Sequence, residues 1–147
     1  MNAQLQRRGT PAFPRHAGDG VGRARPLLCS CPGCSRAARV ANHLALRPDR
    51  AGQAGMSCIA GIGGGVAGRV RTARSRRRIL TLDGGVLQCV CACRANAGAV
   101  AGTHLVLSNH GVKQHRHADF DATGAEALHA TQVLAAVRAL NQEKTHG

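Results

Sequence analysis

The chain has 147 residues, 44% of them apolar, with 19 glycines, 7 cysteines and a formal charge of +13. That length suffices for one domain with a real core, but Phe13 and Phe120 are its only aromatic residues, so the core must be built from Leu, Val, Ile and Ala. No apolar stretch approaches the roughly 18 residues of a membrane helix, and with only 7 acids a carboxylate-pair hydrolase and a Ser-His-Asp triad are both disfavoured.

In chain order, residues 1–25 hold Pro11, Pro14, Gly18, Gly20 and scattered arginine, and are expected to be a disordered extension. No apolar segment follows Arg7-Arg8, so neither a secretory nor a twin-arginine signal is expected. The domain is expected over 26–141, with 142–147 a flexible tail. Pro26 to Cys29 reads as a buried strand, and Ser35 to Leu46 as an amphipathic helix stopped by Pro48 and Gly52. Met56 to Ile59 reads as a second strand, and the run Gly61 to Gly65 as a turn leading into a helix over Val66 to Ala73. Arg78 to Asp83 is the clearest strand. Val86 to Asn96 is predicted helical with Gly98 placed to cap it, His104 to Leu107 is predicted as a fourth strand, and Ala122 to Leu140 as one long helix. Strand and helix alternating four times predict a small three-layer α/β domain: a mostly parallel sheet of about four strands covered by helices. Right-handed crossovers then bring all the strand carboxyl ends to one edge.

Five cysteines fall at those ends. Cys31 and Cys34 form a C-x-x-C in which Pro32 and Gly33 favour a tight bend, Cys58 follows the second strand, and Cys89 and Cys93 share one face of the helix after the third. Thiolates in this number suit zinc, which structural sites hold with four N or S ligands. In a reducing, cytoplasmic setting metal or thiol chemistry explains cysteines better than disulfides do. Cys29 and Cys91 read as small buried hydrophobes.

The motifs Cys31-Pro32-Gly33-Cys34-Ser35, Met56-Ser57-Cys58-Ile59-Ala60-Gly61, Leu82-Asp83-Gly84 with Cys89, Gly111-Val112-Lys113 and Asp119-Phe120-Asp121 resemble those of the DGC-domain family, described as zinc-binding, from about Leu27 to about Leu140. The resemblance implies zinc held by Cys31, Cys34, Cys58 and Cys89, and by itself assigns no enzymatic activity. The family's Asp-Gly-Cys stands here as Asp83-Gly84-Gly85, and its Lys-Lys after Gly-Val as Lys113-Gln114. Cys93, one helical turn beyond Cys89, is the reserve ligand for the missing cysteine.

Two other constellations compete. Gly63, Gly65 and Gly68 satisfy G-x-G-x-x-G with Asp83 at 20 residues from Gly63, the outline of a dinucleotide site. The C-x-x-C at a helix start fits a redox or sulfur-transfer protein, with Cys58 or Cys89 resolving the intermediate. His115 and His117 would share a face in an extended segment, and solvated loop histidines are the plainer reading. Arg74 with Arg76, Arg77 and Arg78 complements a helix dipole. With no Trp or Tyr to stack on bases, a nucleic-acid partner is disfavoured.

Overall fold

The computed structural model describes residues 25–33, 35–99, 102–115 and 119–143. Four strands, β1 (Leu27–Ser30), β2 (Gly55–Met56), β3 (Ile79–Asp83) and β4 (Thr103–Val106), form one sheet in the order β2-β1-β3-β4, every neighbouring pair parallel. This is the expected parallel α/β sheet.

Alternation along the strands divides the core in two. Leu28, Leu80 and Leu82 point to one face, where they meet Val40, Ala41 and Leu44 of α1 (Arg36–Arg50), Ala125 of α5 (Ala122–Leu128), and Val133, Val137 and Leu140 beyond it. Leu27, Cys29 and Ile79 point to the other face. There they pack on Ile59 and Ile62 of α2 (Ile59–Gly63), Ala73 of α3 (Ala67–Arg74) and Val90 of α4 (Cys89–Asn96). Leu28, Leu44, Leu80 and Leu82 are fully buried, and truncating any of them to Ala should cost about 2–5 kcal/mol.

Local chemistry sets the helix ends. The Ser35 hydroxyl accepts from Ala38 N–H at 3.2 Å to cap α1, and Asp121 accepts from Thr123 and Gly124 N–H, both at 3.0 Å, to cap α5. Gly98, at φ +70°, closes α4, its N–H donating to Ala95 O at 2.9 Å.

Four sequence expectations change. Pro48 does not stop α1, which runs on to Arg50. So near the end of a helix a proline forfeits one backbone bond, to Leu44, and its buried ring packs on the body. β2 is only two residues long, and Ile59 begins α2 rather than ending a strand. Part of the glycine run is therefore helical. α4 starts at Cys89, after a turn in which Gln88 takes φ 49°. The long C-terminal helix is interrupted: α5 passes through a π turn at His129–Val133 into α6 (Leu134–Gln142).

Among the described residues, no helix is long and apolar enough to cross a membrane.

Candidate functional site

Strand order reverses at the centre of the sheet. β1 feeds α1 toward β2 on one face, and β3 feeds α4 toward β4 on the other, so β1 and β3 flank a topological switch point. In open α/β sheets the crevice outside the strand carboxyl ends at such a point is where ligands bind.

Cysteines follow the carboxyl ends of three strands in the chain. Cys31 directly follows β1, half-buried, its N–H donating to Leu82 O at 3.2 Å. Cys58 is the N-cap residue of α2, exposed, with its Sγ accepting from Gly61 N–H at 3.4 Å. Cys89 is the first residue of α4 and is exposed. Cys93 is half-buried one turn later against α2, where a Cβ on Gly63 would stand 2.9 Å from its Sγ. Cys93 thus faces the neighbouring helix. Cys34 and His117 lie outside the described residues, and His115 is exposed. Among the described residues, no three Cys, His, Asp or Glu side chains form a group that could hold a metal ion as they stand. None of the six described cysteines is in a disulfide.

Asp83-Gly84-Gly85 shapes the edge through three different contacts. The Asp83 carboxylate is buried at the end of β3 and accepts from Val90 N–H at 2.8 Å and Cys91 N–H at 3.1 Å. It caps α4 from outside the helix, in place of a side-chain cap that Gln88 does not supply. His104 Nε2 lies 2.8 Å from the same carboxylate. At Gly84 a Cβ would meet the Ala37 carbonyl carbon at 2.5 Å and the Ala38 nitrogen at 2.6 Å, so only glycine lets β3 pass the start of α1. At Gly85 a Cβ would fall 2.1 Å from Gln114 Nε2: the Gln114 amide fills the space a side chain there would need. The two departures from the family pattern are therefore in contact.

Beneath the edge, Cys29, Thr81 and His104 stand side by side on the sheet face that meets α4. Arg94 of α4 is buried and donates to Thr81 Oγ1. Burial pushes the Cys29 thiol up to about 11, against the opposing pull of Arg94. Cys29 is the inert core thiol the sequence suggested.

Sequence reasoning missed His104 and Arg94. Both were findable. His104 shares a face with Asp83 once β3 and β4 are parallel, and Arg94 follows Val90 at i+4, on the buried side of α4.

The dinucleotide outline does not survive. α2 lies between β2 and the turn, so Gly63 ends a helix instead of following a strand, and Asp83 is occupied by α4 and His104.

The model of the DGC domain matches residues 27–132. The chain belongs to the DGC-domain family. Within it, the DGC-domain chain is similar to the anaerobic and virulence modulator AnvM of Pseudomonas aeruginosa, 53% identical over 103 residues that cover 70% of this chain and 79% of that relative. No solved structure gives a significant match.

Proposed function

We propose that this DGC-domain protein binds zinc through cysteine thiolates at the carboxyl edge of its sheet, and that the site serves regulation rather than turnover. Cys31, Cys34, Cys58 and Cys89 would hold the ion, with Cys93 in reserve. What supports the reading is the position of Cys31, Cys58 and Cys89 in the chain beyond the carboxyl ends of β1, β2 and β3. The donor chemistry fits: reduced sulfurs are what zinc selects from a reducing environment. Two of the three, Cys58 and Cys89, are exposed at element ends, where small shifts cost little. When bound, zinc would cross-link these elements, and a coordination position left open would make it a Lewis acid.

Likeness to a relative named as a modulator supports a regulatory role. A redox or sulfur-transfer role is the competing reading, favoured by the same two exposed thiols.

Zinc titration against a chromophoric chelator tests the proposal. Cys58→Ser and Cys89→Ser should each weaken zinc binding by tenfold or more, on the order of what a lost ligand contributes, while Cys29→Ser and Cys91→Ser should leave it unchanged. Equal affinity in all four variants would overturn the zinc reading. A zinc-free protein whose Cys58 or Cys89 exchanges rapidly with an oxidised dithiol would favour the redox one.

A further inference from the structure

Charge is distributed unevenly between the two helical layers. Of the chain's 7 acids, Asp83 alone falls between residues 50 and 119, and it is buried. Among the described residues the layer of α2, α3 and α4 therefore shows solvent no carboxylate, while Arg69, Arg71, Arg74 and Arg76 are all exposed on or beside α3. The opposite layer is balanced. Among the described residues the arginine ion pairs, Arg39 with Asp119 and Arg47 with Glu126, both lie on it.

The unbalanced layer holds an open groove of about 830 Å³ between α3 and the end of α4. Its floor is apolar, with Ile62, Val70 and Ala97, and Arg71 and Arg74 stand at its rim. Arg74 is steadied there, its Nε donating to Ala97 O at 2.6 Å. The Arg71 side chain makes no hydrogen bond or ion pair with any described residue.

We infer that this groove docks an acidic amphipathic helix of a partner protein, its apolar side on Ala67 and Val70 above the buried Ile62 and Ala97, and its carboxylates on Arg71 and Arg74. Charge complementarity selects this occupant. A second copy carries the same +13, and the carboxylates of Asp119 and Glu126 are already engaged by Arg39 and Arg47. Residues 1–24 have the wrong sign, with several arginines and the single acid Asp19. Among the described residues nucleic acid would find no Phe, Tyr or Trp ring on this layer for its bases, since Phe120 packs on the other layer with His43. The inference does not depend on zinc. The groove does adjoin the cysteine helix, because Gly63 lines it and touches Cys93.

The test uses the full chain and a fluorescein-labelled peptide of about 16 residues made of Glu, Leu and Ala, with Leu at helical i, i+3, i+4, i+7 spacing. Saturable binding is expected, weakened about tenfold or more by Arg71→Glu, as for loss of a close interfacial charge pair. Ala67→Glu, which alters the same groove without removing an arginine, should weaken it likewise. Arg138→Glu, the same charge change on an exposed residue of α6, should leave affinity within about twofold, as should any surface change outside the contact. Absence of saturable binding would overturn the inference. So would equal loss in the Arg71 and Arg138 variants, which would mean unspecific attraction, or displacement of the peptide by a single-stranded DNA oligonucleotide at equal concentration.

Discussion

The amide of Gln114 occupies the space that a side chain at Gly85 would need. These are the two positions at which the motifs read from the sequence depart from the family resemblance. The Gln114 side chain thus closes the space over the buried backbone of Gly85.

Restoring the cysteine should therefore be tolerated. Gln114 is exposed and flexible at its end, so Gly85→Cys need only push the amide aside, with a stability change within about 1 kcal/mol. On the zinc account the added thiol should raise zinc affinity by about tenfold or more. Gln114→Ala alone should leave it nearly unchanged. Chelator competition on the three proteins checks this, and an unchanged affinity in Gly85→Cys would count against a site beside position 85.

Asp83 is the keystone of the same edge. Its carboxylate takes two N–H groups of α4 and faces His104. Asp83→Ala leaves those donors buried without an acceptor and should cost about 3 kcal/mol in urea unfolding. His104→Ala should cost less, because the ring is 27% exposed and water can replace it. Equal and small losses in both would show that α4 does not need this cap.

Thiol reactivity should rank by burial. Cys29 is fully buried and its thiol is pushed up to about 11, so at neutral pH it stays protonated and out of reach. Iodoacetamide followed by mass spectrometry should label Cys58 and Cys89 in the folded protein once a chelator has removed any metal, and Cys29 only after unfolding. Labelling of Cys29 at the rate of Cys58 would contradict the packing described.

Acid should destabilise the fold through His129. Burial holds its imidazole below the ordinary value of 6.5, with Arg47 and His43 adding to that and Glu126 opposing it. Its Nε2 is buried without a hydrogen-bond partner. A folded-state value below the unfolded one means the unfolded chain takes up the proton first as pH falls. The contribution is then complete above about 6.5 and is lost as pH falls toward the lower folded value. Glu126, lowered by Arg47, acts in the same direction below its ordinary 4.5, weakly because it is exposed. The melting temperature should fall between pH 7 and pH 5, and His129→Leu should flatten that slope. An unchanged slope in the variant would assign the acid sensitivity elsewhere.

The sheet was legible because its strands are short apolar runs between turn residues, and β3 and β4 were placed to within a residue. The cysteine-bearing ends followed from that placement. What sequence could not give were effects of tertiary contact. Pro48 stays helical because its ring packs on the core. Ile59 turns helical because Cys58 caps a short helix that the glycines allow to approach Cys93 and Arg69. The pairing of Gln114 with Gly85 joins segments almost 30 residues apart, and no local pattern announces it.

Elemental analysis of the untagged full chain, purified under reducing conditions with thiols counted before and after chelation, tests the central claim most directly. The account predicts close to one zinc per chain and about four thiols that become reactive only when the metal is removed. A metal-free protein whose exposed thiols react at once, and whose count chelation does not change, would contradict it.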